Sequence, residues 1–350
     1  MLDAPAAYAP AANRYHQPDG WFRRCGTTGL KLPAISLGFW QNFGRHEASS
    51  KTFDTPAEHD AHCRKIVLAA FDRGVTHLDF ANNYGPPPGS AEARVGEVLE
   101  RDLAAHRNEL VITSKAGYDM WPGPYGDGGS RKYLIQSCED SLRRLRVDHL
   151  DVFYHHRPDP ETPMAESLGA LDSIVRSGKA LYCGVSNYSG EQVDAAMRIC
   201  DEHGYVKPVV LQNSYSMLAR GPEADVLPAA ERHGLGVVAF SPLRQGLLTD
   251  KYLGGVPSDS RASDAGGTLP ADSIDAGLRD RLNRLNAVAS DRGQTLAQLA
   301  LRWVLRTSAV TTALIGVSRV EQLESCVATL EGPDLSDDEL DAIDALVPAD

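Results

Sequence analysis

Short apolar segments alternate with longer amphipathic segments along most of the chain. The short segments are rich in Val, Ile, Leu and Phe, which is typical of buried β-strands. The amphipathic segments between them are typical of helices that pack one face against a sheet. This alternation favours a parallel α/β fold. The eight candidate strands are residues 34–38, 76–79, 110–115, 150–154, 180–185, 208–212, 235–240 and 311–315.

Several helical segments have a buried stripe or a recognisable start. One stripe begins behind Ser130, a candidate N-cap, and consists of Leu134, Cys138, Leu142 and Leu145. Another consists of Leu296, Leu299, Ala300, Trp303 and Val304. Pro163 suits the first position of a helix. Three pairs match the capping box, in which two side chains satisfy free backbone donors: Ser189 with Gln192, Ser318 with Glu321, and Ser336 with Glu339.

Eight strands with intervening helices predict a closed (β/α)8 barrel rather than an open sheet. Residues 22–33 precede it and predict a small hairpin around the turn at 26–29. We expect residues 1–20, which are rich in Ala and Pro, to be a loose leader, and residues 21–350 to be a single barrel domain. The long irregular stretch at about 243–276, after the seventh strand, is interpreted as a functional lid or as a disordered segment.

Composition narrows the class of protein. The 350 residues carry a net formal charge of −12, which argues against nucleic acid or an anionic membrane as the main partner. No apolar run reaches the roughly 18 residues of a membrane span. The six cysteines are scattered without a Cys-x-x-Cys pair, which is typical of reduced thiols. The N-terminus also lacks the layout of a secretory signal. We therefore expect a cytoplasmic protein.

Four polar residues stand where the active site of such a barrel collects, at the carboxyl ends of its strands. Asp79 closes the second strand, Lys115 closes the third, His156 follows the fourth, and Tyr84 lies five residues after Asp79. A lysine beside a tyrosine favours the phenolate, so we expect the pKa of Tyr84 to be lowered and Tyr84 to act as a general acid. Each residue taken alone also has a structural explanation. The pair His155-His156 suggests a metal, but no third ligand stands at a recognisable spacing.

Long strings around these residues carry a specific resemblance. LDFANNYG spans residues 78–85, TSKAGYDMWPGPYG contains Lys115, and DVFYHHRPD contains His156. The chain resembles the aldo-keto reductase superfamily from about residue 14 to the end. The resemblance implies hydride transfer from a reduced nicotinamide to a carbonyl carbon. It implies that Tyr84 donates the proton, that Asp79 and Lys115 tune the acidity of Tyr84, and that His156 orients the carbonyl by a hydrogen bond.

No Gly-x-Gly-x-x-Gly motif follows the first strand, so dinucleotide binding cannot rest on a Rossmann loop. The resemblance implies instead that the cofactor lies across the top of the barrel. Arg319 and a helix beginning at Ser318 would suit a 2′-phosphate, which favours NADPH over NADH. Ser325-Cys326 stands where the family commonly has Glu-Asn, so the strictness of that preference is open. Ser186, Asn187 and Gln212 would bind the carboxamide. The full implied set is Trp40, Asp79, Ser186, Asn187, Gln212, Phe240 (stacked on the nicotinamide ring), Ser241, Pro242, Leu243, Gln245, Gly246, Lys251, Arg261, Gly316, Ser318, Arg319 and Gln322.

The substrate is implied less specifically, as a short-chain carbonyl compound such as glyceraldehyde 3-phosphate or methylglyoxal. Its candidate contacts are Trp40, Tyr84, Tyr118, Trp121 and His156, with Met120 and Tyr125 on the same loop as Tyr118. Relatives also imply a homo-oligomer, a tetramer or larger. Two other functions stay open at this point: an NADP(H)-sensing subunit with slow turnover, as the β subunits of potassium channels suggest, and a metal-dependent barrel hydrolase.

Overall fold

Eight parallel strands form a closed barrel in a computed structural model that describes residues 8–45, 53–257, 269 and 273–349. The last barrel strand pairs with both the first and the seventh, so the sheet has no free edge. A separate antiparallel hairpin precedes the barrel. The hairpin strands are β1 (Phe22–Arg24) and β2 (Lys31–Pro33), and the barrel strands are β3 (Ile35–Gly38), β4 (His77–Asp79), β5 (Val111–Ala116), β6 (Leu150–His155), β7 (Ala180–Ser186), β8 (Val210–Ser214), β9 (Gly236–Phe240) and β10 (Val310–Ile315).

Helices connect consecutive barrel strands and pack around the outside. Among the described residues, one α-helix follows each of β3 to β8, two lie between β9 and β10, and two follow β10. The helices are α1 (Pro56–Asp72), α2 (Ser90–Asp102), α3 (Arg131–Leu145), α4 (Met164–Arg176), α5 (Gly190–His203), α6 (Val226–His233), α7 (Ala276–Asp291), α8 (Leu296–Val304), α9 (Val320–Val327) and α10 (Asp337–Leu346). The (β/α)8 barrel predicted from the alternation is confirmed.

The predicted elements agree closely with the observed ones. All eight strands are present with ends within about two residues of the prediction, the usual uncertainty of element ends. The stripes of α3 and α8 are buried, and Ser130 caps α3 by accepting a hydrogen bond from Tyr133 N. Capping boxes are confirmed at Ser189 and Ser336.

Two helix starts were predicted one residue away from where they lie. Pro163 is the N-cap of α4 rather than its first residue, because its ψ of 128° is extended. The capping box of Ser318 with Glu321 is wrong, because Arg319 is the N-cap of α9. Ser318 instead bonds to the side chain of Gln322, with distances to Gln322 Oε1 of 2.8 Å from its nitrogen and 3.1 Å from its hydroxyl.

The β1–β2 hairpin covers the amino-terminal end of the barrel. Thr27 N donates to the carbonyl of Gly234, the residue that ends α6 before β9. Cys25 and Leu32 pack among the barrel residues Val152, Tyr154, Val210, Val238 and Leu314. Because the hairpin closes this end, the opposite end, where the strands terminate, is the one available for a site.

Residues 8–20 lie against the outside of the barrel. The Tyr8 hydroxyl donates to Asp72 at 2.6 Å, and Arg14 forms an ion pair with Glu109 at 2.6 Å. The leader expected over residues 1–20 and the single domain over 21–350 stay predictions, and residues 1–7 lie outside the described part. Within the described residues, no helix is long and apolar enough to cross a membrane.

Candidate active site

Asp79 and Lys115 form an ion pair at the carboxyl end of the barrel. Strands β4 and β5 pair with Asp79 opposite Thr113. Lys115, two residues after Thr113, therefore lies on the same inner face of β5. Lys115 Nζ lies 2.6 Å from Asp79 Oδ2 and donates to the carbonyl of Phe80 at 2.6 Å. Both side chains are fully buried. The register of two adjacent strands thus produces this buried pair.

Tyr84 lies next to the Asp79–Lys115 pair and links it to His156. Its hydroxyl accepts a hydrogen bond from Lys115 Nζ at 3.5 Å, and its ring lies 6.0 Å from the His156 ring at an interplanar angle of 71°. Asn82 holds the turn that carries Tyr84, because its side chain donates to Tyr133 of α3 and its backbone nitrogen donates to Lys115 O. The structure brings all four residues predicted from strand ends to one place.

The expected direction of the Tyr84 pKa is wrong. Burial raises the pKa of Tyr84 well above its ordinary value, and the negative charge of Asp79 adds to the rise. Lys115 does not reverse this, since its charge is offset by the carboxylate 2.6 Å away and burial lowers its own pKa. Tyr84 therefore keeps its proton at neutral pH, which suits a donor.

His156 lies beside Tyr84 as a neutral ring. Burial lowers its pKa well below the ordinary value, and the nearby charge of Lys115 lowers it further. Its Nδ1 is buried and has no hydrogen-bond partner among the described residues. The Tyr118 ring meets the His156 ring edge-on at 4.6 Å. The Arg157 guanidinium lies 4.3 Å from the Tyr118 ring centroid and donates to Gly117 O. Arg157 thus holds Tyr118 against His156.

Two residues that contact Asp79 extend the site beyond the predicted four. Thr113 Oγ1 donates to Asp79 Oδ1 at 2.7 Å, and Gln212 Nε2 donates to the same oxygen at 3.0 Å. Thr113 had not been predicted, although its place two residues before Lys115 on an alternating strand was a usable signal. The resemblance implies that Gln212 binds the cofactor, whereas in the fold its amide nitrogen donates to the carboxylate of Asp79.

Strained backbone marks the loops at this end of the barrel. Six non-glycine residues in the described segments have positive φ, and all but Arg146 follow a barrel strand: Gln41 after β3, Asn187 after β7, and Ser241, Arg244 and Gln245 after β9. Such conformations cost roughly 1–3 kcal/mol each and persist where the surroundings, often a binding site, require them. Three of these residues, Asn187, Ser241 and Gln245, are in the predicted cofactor set.

The remaining cofactor candidates line the same rim. Ser186 ends β7, Phe240 ends β9, and Gly316 directly follows β10. A Cβ added at Gly316 would meet nothing within 4 Å, and one at Gly246 would meet only Tyr252, at 3.8 Å. Pro242 is buried and Leu243 is partly buried, whereas Lys251 is exposed. This open, strained rim fits a ligand that approaches the backbone closely.

The residues that the resemblance assigns to the 2′-phosphate lie at the start of α9. Arg319 and Gln322 are exposed, and Ser318 stands just outside the helix. Cys326, which stands where the resemblance implies an Asn, is buried in the core, and its pKa is raised to about 12 by burial. A buried side chain there offers nothing to an adenine, whereas Arg319 and Gln322 are among the exposed polar groups of this turn. Arg261 lies outside the described residues.

The aromatic candidates for the substrate differ in placement. Tyr118 is partly buried beside His156, whereas Trp40 and Trp121 are 39% and 45% exposed. Trp121 meets the Tyr133 ring edge-on at 6.2 Å, and Lys132 lies over the Tyr125 ring at 5.0 Å. In the described part of the chain, no group of three His, Cys, Asp or Glu side chains is arranged as metal ligands.

Comparison with known proteins adds an independent line of information. The model of the family described as "Aldo/keto reductase family" matches residues 34–348. The chain is 47% identical over 328 residues to L-glyceraldehyde 3-phosphate reductase of Escherichia coli strain K12, covering 92% of this chain and 91% of the relative. It is 34% identical over 329 residues to a putative voltage-gated potassium channel subunit beta of Schizosaccharomyces pombe, covering 92% of each. A probable voltage-gated potassium channel subunit beta of Arabidopsis thaliana is 34% identical over 308 residues, covering 87% and 89%.

Proposed function

The chain belongs to the aldo/keto reductase family, and we propose that it reduces small aldehydes to alcohols, with NADPH as the hydride donor and Tyr84 as the proton donor. The observation that carries this proposal is the convergence of Tyr84, Lys115, Asp79 and the neutral His156 at the open end of the barrel. Bound NADPH would supply a hydride from its nicotinamide ring.

The roles of this chain's own residues follow from their charges. Negative charge grows on the carbonyl oxygen as its carbon is reduced, and a proton donor in a buried site stabilises that charge strongly. Tyr84 keeps a proton to give because its pKa is raised. Lys115 donates a hydrogen bond to the Tyr84 oxygen and so stabilises the phenolate that remains. His156, being neutral, can donate a hydrogen bond to the carbonyl without competing as the acid.

Residues on the rim support a dinucleotide. We assign the carboxamide to Ser186, Asn187 and Gln212, as the resemblance implies. Phe240, which is partly exposed at the end of β9, supports stacking on the nicotinamide ring. Arg319 provides an exposed guanidinium that suits a 2′-phosphate, which favours NADPH over NADH. We assign the substrate to short-chain aldehydes, with glyceraldehyde 3-phosphate first because of the 47% identical relative and methylglyoxal second.

Location and assembly are part of the proposal. All six cysteines are free and buried, which supports the reducing cytoplasm. We further propose a homo-oligomer, a tetramer or larger, which size-exclusion chromatography with light scattering would test. A monomer at micromolar concentration would exclude it.

The decisive experiment follows NADPH oxidation by the purified protein, with glyceraldehyde 3-phosphate, methylglyoxal and an aromatic aldehyde offered in parallel and NADH compared with NADPH. Tyr84→Phe should lower turnover by about 10²- to 10⁴-fold, the usual contribution of a positioned acid, with the Kd for NADPH nearly unchanged. Tyr205→Phe, on the loop after α5, is the matched control and should keep full turnover. Full turnover by Tyr84→Phe would remove Tyr84 from its role.

A sensing subunit is the second candidate, because two relatives at 34% identity are named as potassium channel subunits. The higher identity to a reductase, over at least as large a share of the chain, favours the enzyme. Tight NADPH binding followed by one slow turnover with every aldehyde would support the sensor instead.

A further inference from the structure

A row of polar side chains crosses the barrel interior below the Asp79–Lys115 pair. Thr312 of β10, Ser36 of β3, His77 of β4 and Thr113 of β5 are all 0% exposed, and their strands are consecutive neighbours in the sheet. The oxygens of Thr312 and Ser36 are 2.6 Å apart, Ser36 Oγ lies 2.8 Å from His77 Nδ1, and His77 Nε2 lies 3.2 Å from Thr113 Oγ1. The row ends on Asp79 through the 2.7 Å bond from Thr113.

The chemistry of the last bond determines the direction of every other bond in the row. An ionised carboxylate has no proton to give, so the Thr113 hydroxyl must donate to Asp79. The Thr113 oxygen is then an acceptor toward His77, which requires a proton on His77 Nε2. A neutral imidazole carries one proton, so its Nδ1 must accept from Ser36. Ser36 in turn accepts from Thr312, and all the donors point toward Asp79.

The neutral state that this row requires agrees with the position of His77. Burial lowers the pKa of His77 to about 4, although the negative charge of Asp79 opposes the shift, and the positive charge of Lys115 lowers the pKa further. The ring therefore holds one proton at neutral pH. Hydrogen bonds that point in one direction polarise each other, so the row strengthens the donation to Asp79 beyond that of an isolated threonine.

The interior of such a barrel is usually filled by Val, Ile and Leu. Polar side chains at these places are tolerated because each is hydrogen-bonded, yet apolar ones of similar volume would fill the space without any such requirement. The row leads to Asp79, whose other oxygen holds Lys115 beneath Tyr84. Its position therefore suggests a role in orienting this carboxylate.

We propose that His77 is a positioning residue for reduction: as the Nε2–H tautomer it holds the Thr113 hydroxyl in the orientation that donates to Asp79, and so keeps Lys115 aligned on Tyr84. This role rests on the proposed reductase activity. Without His77, the Thr113 hydroxyl can rotate away, and Asp79 loses one of the donors that orient Oδ2 toward Lys115. The effect falls on proton donation rather than on ligand binding.

The kinetic test uses two substitutions and one matched control. His77→Leu should lower kcat about 10-fold, as expected for one lost hydrogen bond to a charged group, with KM for the aldehyde and Kd for NADPH within about two-fold of wild type. His77→Gln keeps an acceptor and a donor and should recover most of kcat. The control is Thr76→Val, a buried residue directly before β4 that is not a member of the row. It should match wild type.

Two results would overturn the proposal. One is an unchanged kcat in folded His77→Leu. The other is a parallel loss of kcat and of thermal stability that His77→Gln does not relieve, which would indicate a purely structural residue. If wild type itself turns over no aldehyde, the proposed function fails, and the role of His77 is then decided by a second measurement that needs neither cofactor nor substrate.

That measurement is nitrogen-15 NMR of wild type labelled on histidine, with the His77 signals identified by their loss in His77→Gln. We expect protonated Nε2 and unprotonated Nδ1, unchanged across neutral pH. A protonated Nδ1 would reverse the row and leave the Thr113 hydroxyl without its required donor, so it would refute the mechanism whatever the kinetics show.

Discussion

Replacing Lys115 by Met tests whether the buried pair is one coupled unit. Lys115 and Asp79 are fully buried and 2.6 Å apart, so their attraction at an effective dielectric near 20 is about 6 kcal/mol. Most of this offsets the loss of hydration of two charges. Removing one partner typically costs about 3–5 kcal/mol, because the other charge stays buried alone. Asp79 keeps the donors Thr113 and Gln212, so we expect the low end, about 3 kcal/mol.

Asp79→Asn completes a double-mutant cycle. The asparagine retains an oxygen that accepts from Thr113 and Gln212. It removes the negative charge that Lys115→Met leaves buried without a cation. The double variant should therefore lose less free energy of unfolding than the sum of the single variants, with a coupling of about 2 kcal/mol. The double variant should still be inactive, since Tyr84 has lost its lysine. Recovery of stability without recovery of turnover would separate the two roles of the pair.

Urea unfolding at neutral pH, followed by tryptophan fluorescence and circular dichroism without cofactor, gives the four free energies. Additive single costs, within about 0.5 kcal/mol, would refute the coupled pair. A stable Lys115→Met protein with unchanged unfolding would refute the burial argument itself.

Three further predictions concern pH and the closed end of the barrel. Because the pKa of Tyr84 is raised above its ordinary value, kcat for reduction should be flat from roughly pH 6 to 9, and a midpoint near neutrality would contradict this. His77 and His155 have pKa values of about 4 in the folded protein and about 6.5 when unfolded. Unfolding therefore takes up protons between these values, and the urea midpoint should fall as pH is lowered through that window; a constant midpoint would count against it. Gly26→Ala should lower stability by about 2–3 kcal/mol, because a Cβ would come within 2.0 Å of a backbone carbonyl oxygen at a φ of +56°. Gly29→Ala, in open space, should be near neutral, and both variants should keep wild-type KM; thermal unfolding and steady-state kinetics measure these effects.

The local sequence pattern was sufficient to predict the strands and helices and the end of the barrel at which the candidate site lies. Strand and helix periodicity are properties of neighbouring residues, so the eight barrel strands and the stripes of α3 and α8 could be predicted directly. The polar residues that close strands, such as Asp79 and Lys115, could be assigned to one end of the barrel because parallel strands end on the same side. At Pro163 and Ser318 the predicted helix start was wrong by one residue. The exact start of a helix depends on the backbone angles of single residues.

The direction of the Tyr84 pKa needed the tertiary structure. From the sequence, Lys115 was the neighbour expected to decide it. In the fold, Asp79 offsets that charge and burial prevails, and burial depends on contacts between segments far apart in the chain. The same reason applies to the row from Thr312 to Asp79, whose members come from four strands up to 276 residues apart.

The sequence by itself therefore determined which elements form, in what order, and which residues stand at the strand ends. Strand register and closure of the barrel decided which of those residues touch, which charges are compensated and which protons are held. The physical reason is that periodicity acts over a few residues, whereas dielectric surroundings and hydrogen-bond partners are set by whatever the fold places within a few ångströms.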